Sequence, residues 1–191
     1  HDLNIPPYYE DLFSEMVHEL ELGTLPPRQA LVEVIKFFTT KFRYSLELRG
    51  GDTTPLRQFL KRSRSGHCEY FATSTVMLLR ALGIPARYAT GYSVQEYSAL
   101  ENSFVVRRRH AHSWTLAYID GHWVDVDSTP GVWAELEAET APWWGLLYDL
   151  WSWTGYQFSL WRWSDSEGDK SSFLLWLIFP LVIILVWRLS R

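Results

Sequence analysis

The stretch HSWTLAYIDGHWVDVD, residues 112–127, decides the fold. Two runs rich in β-branched and aromatic residues flank Asp120-Gly121. A two-residue type I′ turn needs positive φ at both central positions, which Asp and Gly tolerate, so the stretch predicts an antiparallel hairpin. Such a turn also sets the register: Ile119 faces His122, Tyr118 faces Trp123, and counting outward Leu116 faces Asp125 and Trp114 faces Asp127. Facing residues project to the same side of a sheet, as do residues two apart along a strand. His112 therefore shares a face with Asp127 as its diagonal neighbour, at ~7 to 8 Å between backbones, a gap that an imidazole and a carboxylate can close. Asp125 lies too far along the strand for that contact, and His110 sits one step further out at the strand end. A bulge in either strand would undo the count.

Upstream the periodicity is helical. Phe71, Thr75, Leu78, Leu79 and Leu82 lie on one face of a helix starting at Cys68, and Gly83-Ile84-Pro85 stops it. Leu12, Met16 and Leu20 mark a helix between Pro6 and Gly23, and Leu31, Val34, Ile35 and Phe38 mark a second between Arg28 and Phe42. Leu56, Phe59 and Leu60 predict a short helix or turn. Strand-like runs cover Ala86 to Tyr92 and Phe104 to Arg108. Helices first and an antiparallel sheet afterwards predict an α+β domain.

The 191 residues allow one sizeable domain with attachments. A formal charge of -4 gives no basic footprint, and the cluster Arg107-Arg108-Arg109 is short, so nucleic acid is not expected as a partner. A single cysteine rules out an intrachain disulfide or a CxxC site and leaves Cys68 as either an apolar filler or a reactive thiol. The chain opens at His1 without methionine, which reads as a piece of a longer polypeptide. Many of its 11 tryptophans follow Pro130, among them Trp143, Trp144, Trp151, Trp153, Trp161 and Trp163. Phe173 to Trp187 is then apolar except for Pro180, and is followed by Arg188 and Arg191. With its small polar flanks it approaches the ~20 residues that cross a bilayer core of ~30 Å. The sequence thus predicts a catalytic domain over 1–135, an aromatic-rich juxtamembrane segment and linker over 136–172, and a C-terminal transmembrane helix over 173–190.

Cys68 stands at a helix start, where unpaired backbone N–H groups and the positive end of the macrodipole favour a thiolate. A thiolate nucleophile needs an imidazole within reach and usually a third group to orient it. His112 and Asp127 are the candidates that the hairpin register selects. Cys68, His110 and His112 match no specific zinc spacing, and no metal or organic cofactor is expected. His67, His110 and His122 read as ordinary surface or hydrogen-bonded residues.

At these residues the chain resembles the transglutaminase-like superfamily, in its bacterial membrane-bound branch. The pieces that carry the likeness are Gly66-His67-Cys68-Glu69-Tyr70-Phe71-Ala72, Leu78 to Arg87 with Gly91-Tyr92, His112-Ser113-Trp114, and Trp123 to Pro130. The resemblance implies a papain-like fold, with Cys68 as nucleophile, His112 as general base and Asp127 as orienting carboxylate. It differs from the family in having Ser128 where a proline usually follows the aspartate. Its implied chemistry is attack of Cys68 on a glutamine carboxamide or peptide carbonyl, giving a thioester that passes to a lysine amine or to water. Protein or peptide substrates and a membrane are the expected partners, with the catalytic domain on the periplasmic side of the cell membrane. The rival expectations are an inactive membrane-anchored scaffold and a carbohydrate-binding module built on the tryptophans.

Overall fold

The structure, a computed structural model, describes residues 1–47, 55–98, 102–134, 136, 145–163, 182 and 185–188. The chain forms two units, one of His1–Tyr97 with Phe104–Thr140 and the other of Ser98–Ser103 with Ala141–Arg191. In the first, helices α1 (Pro7–Glu19) and α2 (Pro27–Lys41) precede the short strand β1 (Arg43–Tyr44), the four-residue helix α3 (Pro55–Gln58) and β2 (Ser65–Gly66), which pairs in parallel with β1. Prolines in the first turns of α1 and α2 cost nothing there, because the N–H they lack would be unpaired anyway. Helix α4 (Cys68–Ala81) follows, then β3 (Ala86–Tyr92), the paired short strands β4 (Glu96–Ser98) and β5 (Ser103–Val105), β6 (Ala111–Ile119) and β7 (His122–Val126). Strands β3, β6 and β7 form an antiparallel sheet with β6 in the centre.

Helix α4 is the hub of this unit. Its Phe71 and Leu78 join an aromatic core with Leu12, Phe13, Val34, Phe38, Phe42 and Phe59. Its Val76 and Leu79 face the other way, against Ala86, Ala117, Ile119 and Val126 of the sheet. The periodicity predicted a helix buried on one side, and the structure corrects this to burial on both. Ala72 and Ser74 are 2% and 0% exposed, and residues this small or polar leave no apolar periodicity to detect. Their small size lets the strand come close: the Thr115 hydroxyl donates to the Ala72 carbonyl at 3.1 Å. The helix ends in a Schellman motif, with Ile84 N–H on the Leu79 carbonyl at 2.9 Å, Gly83 N–H on that of Arg80 at 3.0 Å, and Gly83 at φ +74°.

The hairpin has the predicted register, with Ile119 opposite His122, Tyr118 opposite Trp123 and Leu116 opposite Asp125. Asp120 and Gly121 have φ of 51° and 84°, as a type I′ turn requires. The expected strand over Phe104 to Arg108 is shorter than the sequence suggests, because a 3₁₀ turn occupies Arg108–His110. Glu96 is the cause: it accepts Arg107 through Nε and Nη2 at 2.6 to 3.0 Å and Arg109 at 2.7 Å, gathering cations that an extended strand would splay apart. The apolar run Phe173 to Trp187 lies outside the described residues apart from Val182 and 185–187. Among the described residues no helix is long and apolar enough to cross a membrane.

Candidate active site

Cys68 is the first residue of α4 and 8% exposed, with the extended His67 as N-cap. His67 makes no capping bond with its side chain, and its imidazole is near enough to the sulfur to favour the thiolate. On the sheet side, β7 ends at Val126, opposite Thr115, so the backbone of Ser113 lies beyond the last β6–β7 pair. The Ser113 backbone is near enough to the Cys68 sulfur to favour its thiolate. Burial alone would push the thiol up, but the neighbouring His112 and His67 imidazoles and the Ser113 backbone favour the thiolate, outweigh it and lower its pKa to about 6.

His112, one residue inside β6, is 8% exposed. Its Nε2 lies 2.7 Å from Asp127 Oδ2, and its Nδ1 is buried and makes no hydrogen bond among the described residues. Burial pushes the imidazole down, but the Asp127 carboxylate and then the Cys68 thiolate overcome that and raise its pKa to about 9. Asp127 is held at both oxygens, since Oδ1 accepts the Thr129 amide at 2.9 Å. Burial raises the carboxyl, and the hydrogen bonds from His112 and Thr129 reverse the direction, keeping it below its usual range. Between these two pKa values the pair rests as a thiolate beside an imidazolium.

The structure therefore brings Cys68, His112 and Asp127 together and leaves the other candidates apart. His110 turns away, accepting the Arg107 amide on Nδ1 at 3.1 Å and placing Nε2 3.4 Å from Glu96. Asp125 accepts the indole N–H of Trp114 at 2.7 Å. That indole lies over Gly91, the residue opposite His112, where a Cβ would come within 2.9 Å of the ring. Only glycine lets the tryptophan lie so close.

The sequence reads His67 as an ordinary surface or hydrogen-bonded residue, and its imidazole is one of the groups that lower the Cys68 pKa. Trp133 is the residue of these surroundings that sequence reasoning missed, and it carries no signal in the sequence. It stacks on His112 with centroids 4.1 Å apart and planes 7° from parallel, and is 8% exposed. An indole face attracts a cation, so Trp133 favours the imidazolium. Trp133→Leu keeps the apolar cover but loses the ring, and should move the alkaline limb of the pH–activity profile about one pH unit lower.

Ser128 also acquires a role. It is 2% exposed, and its hydroxyl lies 2.7 Å from that of Thr75, tying the turn after Asp127 to the helix that carries Cys68. Thr75→Val leaves one buried hydroxyl without its partner and should destabilise the fold by about 1–3 kcal/mol. Adding Ser128→Ala should recover part of that loss in a denaturant titration, because both partners are then gone.

Comparison with known proteins gives the same direction. The model of the transglutaminase-like superfamily, Transglut_core, matches residues 14–128. The chain is 30% identical over 131 residues to a protein-glutamine gamma-glutamyltransferase of Pseudomonas aeruginosa, covering 67% of this chain and 20% of that protein. It is 38% identical over 79 residues to the uncharacterized protein YebA of Bacillus subtilis, covering 39% of this chain and 11% of that one. It thus spans a fifth or less of the length of these two relatives. The crystal structure of the periplasmic domain of TgpA from Pseudomonas aeruginosa superposes with a TM-score of 0.62 at 26% identity, over 71% of this chain and 47% of that one. With the family model matched from α1 to the turn after β7, and a fold of mixed helix and sheet like that of TgpA, this chain belongs to the transglutaminase-like superfamily.

Proposed function

We propose that this chain is a thiol acyltransferase or hydrolase acting on glutamine carboxamides or peptide bonds of proteins, with Cys68 as nucleophile, His112 as acid and base, and Asp127 as orienting carboxylate. The observation that carries the reading is the geometry of His112. One ring nitrogen is 2.7 Å from a carboxylate pinned at both oxygens, the other is buried, and the Cys68 thiolate at the start of a helix helps to hold the ring charged.

In the mechanism this supports, the Cys68 thiolate attacks the carbonyl carbon and the electron pair moves to the oxygen. The Cys68 backbone amide, in the first turn of α4, is the donor this reading assigns to that oxyanion. Collapse of the intermediate expels the amine, which takes its proton from the His112 imidazolium, and a thioester remains. Neutral His112 then takes a proton from the incoming amine or water, and the thiolate departs. Asp127 holds the tautomer and charge of the ring throughout.

The reading also assigns the domain to the outer face of a bacterial membrane, held by the apolar run from Phe173 to Trp187. Its support is that run and the likeness to a periplasmic domain. Incubation with a glutamine-containing peptide, with and without a primary amine, tests the chemistry by mass spectrometry. The expected product carries the amine in place of ammonia, or the acid where water is the acceptor. Neither product from a folded protein whose Cys68 still alkylates would leave a scaffold.

A further inference from the structure

The second unit contains a helix that the chemistry does not use. Helix α5 (Gly145–Trp163) has 19 residues, of which only Asp149 and Arg162 are charged. Asp149, Ser152, Tyr156 and Ser159 follow one another at spacings of three, four and three, so they form a polar stripe. Leu147, Leu150, Trp151, Thr154 and Phe158 share a different face. On that face Leu147 is 66% exposed, Leu150 51% and Trp151 78%. A contiguous apolar face of this kind marks a surface that something other than water covers.

Two observations select the cover. The nine-residue segment Ser164 to Ser172 separates α5 from the apolar run that begins at Phe173, and nine residues reach at most about 30 Å. If that run enters a bilayer, α5 cannot be far from its surface. Tryptophan is also the side chain that settles where hydrocarbon meets headgroup, because its ring is apolar and its N–H needs a partner. The helix is not a second span. No described helix is long and apolar enough to cross, and crossing would carry Asp149, Ser152, Gln157, Ser159 and Arg162 into hydrocarbon.

We infer that α5 lies in the plane of the membrane interface, with Leu147, Leu150, Trp151 and Phe158 sunk into the headgroup–acyl boundary and the Asp149–Ser159 stripe facing water. The catalytic unit is thereby joined to a second lipid contact beside the proposed span, which restricts its reach to substrates near the bilayer surface. The inference rests on the membrane reading under Proposed function, and its test separates the two.

The test uses the full chain carrying Cys68→Ala, so that one introduced cysteine holds an environment-sensitive fluorophore, in phosphatidylcholine–phosphatidylglycerol vesicles. Four positions are compared: Leu147→Cys and Trp151→Cys on the apolar face, Ser152→Cys on the stripe, and Ile178→Cys in the apolar run. Probes at 147 and 151 should be quenched several-fold better by a nitroxide near the headgroup than by one at the bilayer centre. The probe at 152 should be quenched by aqueous iodide, and the probe at 178 by the central nitroxide. Iodide quenching at 147 and 151 equal to that at 152, with 178 still deep, overturns the interfacial helix and keeps the anchor. Central quenching at 147 and 151 makes α5 a span, and shielding from iodide and lipid alike means that protein covers the face. Both results overturn the inference. If 178 meets no lipid, the anchor reading itself fails, whatever 147 and 151 report.

Discussion

Asp127→Asn is expected to lower turnover by about 10³- to 10⁴-fold while the far-ultraviolet circular dichroism stays that of the wild type. Size and shape hardly change, and one of the asparagine oxygen and nitrogen can still meet the Thr129 amide or His112. What changes is the proton. A carboxylate only accepts, so it keeps a hydrogen on His112 Nε2 and leaves Nδ1 to exchange protons at the sulfur. An amide can present its NH₂ group to Nε2, which drives the hydrogen to Nδ1, and it supplies no charge to hold the imidazolium. Asp125→Asn is the control, two residues away on the same hairpin. Its present task is to accept the Trp114 indole N–H at 2.7 Å, and the asparagine carbonyl accepts equally well, so thioester formation should stay within a few-fold of wild type. If Asp125→Asn proves the more harmful while both variants fold, the assignment of the carboxylate must be redrawn.

The second large effect is on the thiol. With Cys68 at about 6 and His112 at about 9, kcat/KM should rise through the lower value as the thiol ionises and fall through the upper one as the imidazolium loses its proton. Iodoacetamide, which needs only the thiolate, should react along the acid limb alone and reach a plateau near neutral pH. In His112→Ala the largest influence lowering the thiol is gone, and its midpoint should move upward. The midpoint is the better readout, because a thiolate of low pKa is intrinsically less nucleophilic, by about 0.4–0.5 log units of rate per pKa unit, which offsets part of the gain at any single pH. A midpoint unmoved by His112→Ala would return Cys68 to the class of buried small hydrophobes. His67→Ala, which removes the second imidazole, should move the midpoint upward by less.

The N-terminal position of Cys68, the abrupt end of its helix and the hairpin register were all legible in the sequence, because each is governed by neighbours within a turn or a two-residue loop. Register carried a long-range consequence too: once Asp120-Gly121 fixed the pairing, His112 and Asp127 had to lie within side-chain reach of each other. The strand expected over Phe104 to Arg108 failed for the opposite reason, since Glu96 gathers Arg107 and Arg109 through side chains that no backbone period records. The same holds for the surroundings of the site. Nothing in the spacing of Trp133 announces that its ring lies 4.1 Å from His112, and nothing near Ser128 announces Thr75, 53 residues earlier. Local periodicity and turn chemistry place a residue on a face of its own element, and that much the sequence determined by itself. Which faces meet, and so which ring covers the imidazole and which hydroxyl joins the nucleophile's helix to the turn after Asp127, is set by how α4, the sheet and the chain beyond β7 pack. The tertiary structure decided those contacts, because they depend on three-dimensional distances between segments whose separation along the chain says nothing of their separation in space.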